Sequence, residues 1–210
     1  MTATRMSPAA VRRTALAALS LALIAAPAFA APVNLPPVTK VKLKNGLTVL
    51  VMSTHRLPLV DLRLVLRAGS VNDPAGKEGL AGLTADLLTQ GAGARSAQQI
   101  AEDIAFVGGS LQGSASSEQM AVTCEVLKKD LTTGLGMFHD VIVSPAFPSE
   151  EFARRKDEAL GSIVADRDDP SEVANKSLLP FLLGDSPLAH PVTGWEKSVR
   201  SIVREDVVAY

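Results

Sequence analysis

An α+β fold, with a mainly antiparallel sheet covered by helices, is what the 210-residue sequence predicts. Three observations carry that prediction. Period-two apolar patterning occurs in two separate stretches, residues 41–66 and 110–127. After each stretch the apolar spacing changes to that of helices. The strands are joined by tight turns rather than by regular βαβ alternation, so a doubly wound parallel sheet is excluded.

The elements follow in order. Val41 to Leu50 reads as two strands around Asn45-Gly46, a strong hairpin signal. From Leu57 to Leu66, Val60, Leu62, Leu64 and Leu66 alternate with Leu59, Asp61, Arg63 and Val65, which predicts a half-buried strand beside the hairpin. After the turn-rich segment 68–76, Leu80, Leu83, Leu87 and Leu88 mark a core-facing helix within 77–90. A second helix starts at Ser96, with Gln99 completing a capping box and Ile100, Ile104 and Val107 as its stripe; Gly108-Gly109 ends it. Residues 110–116 and 119–127 predict another antiparallel pair, with Met120, Val122, Cys124 and Val126 on one face. Three helices follow: 131–143, with Leu135, Phe138, Val141 and Ile142 inward; 149–165; and one opened by Asp169 as cap and Pro170 at its first position. A loop over 185–194 and short helical pieces complete the chain. Because the sequence stops within a starting helix at 205–210, the domain is expected to lack its last elements.

Composition narrows the class further. Hydrophobic residues make up 47% and charged residues 20%, as in ordinary globular chains. Residues 1–30 carry Arg5, Arg12 and Arg13, no acid, a short apolar run and the small-residue end Ala28-Phe29-Ala30. This pattern predicts a signal peptide cleaved near Ala30, and so a periplasmic or secreted domain over 31–210. The run is too short for a stable membrane anchor. Removing those three arginines from 21 basic residues leaves 18 against 22 acidic ones, a net charge of −4 that argues against nucleic acid as partner. Cys124 is the single cysteine, so no internal disulfide forms; on an apolar strand face it reads as a core residue.

Several motifs occur in a fixed order: Asn45-Gly46-Leu47-Thr48-Val49-Leu50, Arg67-Ala68-Gly69-Ser70, Asp73-Pro74-Ala75-Gly76-Lys77-Glu78-Gly79-Leu80-Ala81, Pro145-Ala146-Phe147-Pro148, Asp168-Asp169-Pro170, and Gly194-Trp195 leading to Arg204-Glu205-Asp206. Together they resemble the N-terminal domain of the pitrilysin or insulinase (M16) metallopeptidases, and the likeness spans nearly all of 31–210. The resemblance implies an M16/LuxS-like metallohydrolase fold. It also implies a zinc site built from an inverted His-x-x-Glu-His motif on the helix after the Gly-Lys-Glu-Gly-Leu turn, completed by a glutamate about 76 residues further on. Here those positions hold Gly82, Ala85, Asp86 and Ser162. Gly82 and Ala85 offer no donor, Ser162 is a poor one, and Asp86 alone does not hold a catalytic ion. The resemblance therefore implies a degenerate site, with no catalytic or metal residue and no cofactor in this chain.

No replacement site is evident. His55 reads as a solvated loop residue, His139 as a partly buried packing residue on a helix, and His190 as a structural loop residue. No two are spaced to share one element. The charge run Glu150 to Glu158 reads as a solvated helix face laced with i to i+4 pairs, and Gly91-Ala92-Gly93 as a turn.

Three functions follow. The first is a catalytically inactive M16-like subunit that forms a heterodimer with an active, zinc-bearing homologue and helps enclose peptide substrates. The second is a stand-alone periplasmic peptide-binding or scaffolding protein that uses its sheet edge. The third is an active zinc peptidase with unconventional ligands.

Overall fold

The central strand of the three-stranded sheet is the one with the most continuous apolar face, Met120, Val122, Cys124 and Val126. Strand β7 (Met120–Leu127) buries Met120, Ala121, Val122, Cys124 and Val126. In the computed structural model, which describes residues 36–210, it pairs antiparallel with β3 (Leu59–Leu66) on one side and β6 (Ser110–Ala115) on the other. The predicted signal peptide lies outside the described residues. Strand β3 alternates as its sequence predicts, with Val60, Leu62 and Leu64 half-buried and Asp61 and Arg63 exposed. Its ladder partner among the described residues is β7, where the hairpin had been expected.

The chain divides after His55 into two compact units. Within the first, β1 (Val38–Lys42) and β2 (Thr48–Met52) form the predicted hairpin, in register from Val38 opposite Met52 to Lys42 opposite Thr48. Gly46 takes a φ of +90°, and Asn45 Oδ1 accepts from the Leu47 amide at 3.1 Å. These two strands pair with each other along their whole length. A third ladder was not anticipated. Gly91-Ala92-Gly93, read as a turn, contributes β4 (Gly91–Ala92), which pairs with β5 (Arg95–Ser96), and Ala92 also bridges to Pro145.

Helices pack on the β3-β7-β6 sheet. Helix α1 (Leu80–Leu87) buries six of its eight residues. Two carboxylate oxygens of Asp73 accept from the amides of Gly79 (2.8 Å) and Ala81 (2.9 Å), and so satisfy donors that a helix start leaves free. Helix α2 (Ala97–Phe106) has the predicted box: Ser96 Oγ accepts from the Gln99 amide and Gln99 Oε1 from the Ser96 amide.

Helix α3 (Leu131–Val143) buries Val141 and packs Phe138 and Ile142 against the core as predicted, but departs from the prediction at Leu135. Leu135 is exposed, and Gly134, Met137 and Val141 turn inward. A Cβ on Gly134 would sit 2.7 Å from a methyl of Val126, so the helix presents its smallest residue where it crosses β7. Cys124 is in the core as expected, its Sγ 3.6 Å from the Gly134 carbonyl.

Helices α4 (Ser149–Ala165) and α5 (Pro170–Leu183) follow, α5 capped by Asp169, whose side chain accepts from Ser171 and Glu172. Two short helices, α6 (Glu196–Ser201) and α7 (Arg204–Ala209), are the last described elements. The Tyr210 hydroxyl donates to the Gly69 carbonyl at 2.8 Å, and burial pushes its pKa up to about 12.

Strand β6 approaches α1 so closely that a Cβ on Gly113 would lie 2.0 Å from the Ala85 carbonyl oxygen. Gly136, by contrast, meets nothing within 4 Å and sits inside α3. Gly113→Ala is therefore expected to destabilise the chain by about 1–3 kcal/mol, and Gly136→Ala to stabilise it by about 0.5–1 kcal/mol. Urea unfolding midpoints check this, and equal midpoints for the two variants contradict it.

Candidate functional site

The four positions that resemblance places in a zinc site meet different fates in the structure. Gly82 is half-buried on α1, where a Cβ would stand 2.9 Å from the Val192 carbonyl. Ala85 is fully enclosed. Asp86 is exposed on the opposite side of the helix from the core, and Ser162 is exposed on α4. Helices α1 and α4 pack together, yet of the four only Asp86 lines an open cleft.

That cleft, about 440 Å³, runs between β6, α1, α2 and α4. Leu111, Gln112 and Gly113 of β6 form one wall and Ile100 and Ile104 of α2 its apolar side. Asp86, Thr89 and Gln90, at the end of α1 and just beyond it, and Arg155 on α4 supply the polar side. Among the described residues β6 has a ladder partner, β7, on one side only, and an edge of that kind presents backbone donors and acceptors.

Arg155 is the residue that sequence reasoning missed. The run from Glu150 to Glu158 is only partly a solvated face. Arg154 behaves as expected, bonded to Glu151 and Glu158, and also reaches Gln90 Oε1 at 3.0 Å. One residue later the helix has turned by about 100°. Arg155 thus enters the cleft, with Nη1 on Glu158 Oε2 at 3.1 Å and Nε enclosed without a hydrogen-bond partner. Lys156 turns towards the carbonyls of Arg200 (2.8 Å) and Ile202 (2.7 Å). Alternation around a helix was the available signal; knowing which side faced α1 required the fold.

Partial desolvation by the cleft walls pushes the carboxyl of the otherwise exposed Asp86 up from its ordinary value, the Arg155 guanidinium opposes that rise, and Glu158 adds to it. This donor set does not fit a divalent cation. A single carboxylate, Asp86, shares the cleft with the Arg155 guanidinium, and Gly82 and Ala85 bring no donor atom. No group of three or more His, Cys, Asp or Glu side chains suited to a metal occurs among the described residues.

The histidines lie elsewhere. His55 is exposed, as expected. His139 is exposed rather than packed, because α3 turns Gly134, Met137 and Val141 inward; its Nδ1 lies 3.2 Å from Asp140 Oδ1. His190 is half-buried in its loop, with Nδ1 3.2 Å from the Pro191 carbonyl.

The cleft electrostatics give a direct check. In a carbon-13 titration the Asp86 midpoint is expected above 3.8. It should move higher in Arg155→Met, which removes the cation that favours the carboxylate, and lower in Glu158→Gln, which removes the anion that disfavours it. A midpoint that neither substitution moves would take both groups out of the cleft.

Known proteins resemble this chain in sequence and fold. The sequence profile of the insulinase family (peptidase family M16) matches residues 48–194. An uncharacterized zinc protease of Rickettsia bellii is 27% identical over 169 residues, covering 80% of this chain and 41% of the relative. The non-peptidase homolog YmxG of Helicobacter pylori is 27% identical over 156 residues, 73% of this chain and 35% of the relative. The crystal structure of a peptidase M16 inactive domain from Pseudomonas fluorescens superposes with a TM-score of 0.78 at 28% identity, over 82% of this chain and 42% of that one. Pitrilysin, at 19% identity and a TM-score of 0.73, covers 85% of this chain and 20% of its own, and shows the fold alone. The chain spans about two fifths of the length of the curated relatives it matches. With the profile running from β2 to the threshold of α6, the chain belongs to the insulinase family of peptidases, M16.

Proposed function

We propose that this chain is a non-catalytic M16 subunit that pairs with an active, zinc-bearing homologue and helps enclose peptide substrates. The observation that carries the reading is the polar side of the cleft. Where the family's hydrolysis needs a metal to lower the pKa of bound water, this cleft offers Gly82 and Ala85 without donors, Ser162 outside it, and Asp86 facing Arg155. Zinc then belongs to the partner, and no cofactor to this chain. Two relatives support the same direction: one is named a non-peptidase homolog and another an M16 inactive domain. Others are named zinc proteases, so the family name alone does not decide activity.

The scaffold around the lost ligands is intact. Leu80, Leu83, Leu87 and Leu88 are all buried, so α1 keeps the packing of a structural helix after losing the chemistry of a metal helix. What remains at the cleft is a strand edge beside apolar and amide side chains, which suits an extended peptide held by main-chain hydrogen bonds. The same edge supports a second reading, a stand-alone periplasmic peptide-binding protein.

The test is reconstitution with a homologue that carries an intact His-x-x-Glu-His motif. Size-exclusion chromatography with light scattering is expected to show a 1:1 complex, and the pair to hydrolyse peptides severalfold faster than the homologue alone. No association, with the homologue fully active by itself, contradicts the subunit reading. Peptide binding by this chain alone then favours the stand-alone protein.

A further inference from the structure

A second groove, about 560 Å³, lies between α5 and α6, within the range of ligand sites, and shares no lining residue with the cleft at Asp86. We propose that it binds a peptide segment in which acidic residues alternate with large apolar ones. The inference does not depend on the subunit reading.

The walls are fixed by the local sequence. Trp195 stands at the start of α6, its amide donating to Ser198 Oγ (3.1 Å), and that hydroxyl donates in turn to the Glu78 carbonyl (2.7 Å). Gly194, at a φ of +72°, passes so near Glu78 that a Cβ would lie 2.0 Å from its carbonyl oxygen. The opposite wall is α5, tied by Lys176 Nζ to Asp166 Oδ2 at 2.5 Å. Ile163, which is buried, and the half-exposed Val173 supply apolar surface with Trp195.

Charge at the rim is unbalanced. Arg167, Lys176, Lys197 and Arg200 face only Asp166 and Glu196. Glu196 is shared, one oxygen with Arg167 and the other with Arg200, so both guanidinium groups keep unused donors. Lys197 makes no ion pair among the described residues. Four cations against two acids, in a chain whose overall balance is −1, select an anionic occupant.

The apolar surface selects a polypeptide over a small anion. Val173 and Ser177 line the groove and Phe181 follows at the same i to i+4 spacing. Phe181 is 85% exposed and carries the face about 12 Å along α5 from Val173. An occupant that uses both the rim cations and Phe181 must span that distance and must carry apolar as well as acidic side chains.

Trp195 is the single tryptophan of the chain, so its emission reads the groove directly. The probe is a capped peptide of alternating leucine and glutamate, titrated into the full chain. A saturable change in Trp195 emission is expected, with affinity at least about tenfold weaker for the leucine-lysine analogue. Lys197→Glu and Phe181→Ser alter exposed side chains, so the fold should persist by circular dichroism. Each is expected to weaken binding, the first by about tenfold. The proposal is overturned by no saturable change, by equal affinity for the lysine analogue, by equal affinity for polyglutamate without leucine, or by unchanged affinity in both variants. A response to anionic phospholipid vesicles without one to the peptide also overturns it.

Discussion

The close approach of β6 to α1, where Gly113 meets the Ala85 carbonyl, is the contact on which the rest of the domain is arranged. A side chain at Gly113 would push the helix off the sheet. With glycine there, α1 drops into a position walled by β6, α4 and the segment from Val192 to Gly194. The helix is short, and Leu80, Leu83 and Leu87 together with Ala81 and Ala85 are buried around it, so its amphipathic character is weak and its burial nearly complete. Asp73 at its start and the Arg154–Gln90 bond just beyond its end then hold it lengthwise.

The leucines of α1 face the core and Asp86 faces the cleft, so a change at Asp86 leaves the apolar packing in place. At Gly82 the absence of a side chain lets the loop carbonyl of Val192 come to within 2.9 Å of where a Cβ would be. At Ala85 the small side chain is wholly enclosed. Both positions are thus part of the packing around α1. On the cleft side, Arg155 brings a positive charge beside Asp86.

Most of the fold was legible because local rules and tertiary packing agree. The Ser96–Gln99 box, Pro170 after Asp169, and the alternation of Val60, Leu62 and Leu64 each act within a few residues, and the elements they mark fall where the sequence puts them. Illegible parts depend on partners distant in sequence. Leu135 has the spacing of a core residue, but Gly134 decides which face of α3 meets β7. Gly91-Ala92 looks like a turn because a two-residue ladder has no periodicity to read. That Gly82, Ala85 and Ser162 stand where the family resemblance implies zinc chemistry is a reading of the motif alone. The turning of Arg155 into the cleft was not legible, since a charge run looks the same whichever way it faces.

The central claim is that this chain's former metal positions no longer constitute a zinc site. It is tested most directly by zinc stoichiometry after equilibrium dialysis, measured for the chain and for the variant Gly82→His, Ala85→Glu, Asp86→His, Ser162→Glu. The account predicts no bound zinc in the unaltered chain and measurable binding in the quadruple variant, weakened by the Val192 carbonyl at Gly82. One tightly bound zinc per unaltered chain, with chelator-sensitive peptide hydrolysis, would contradict it.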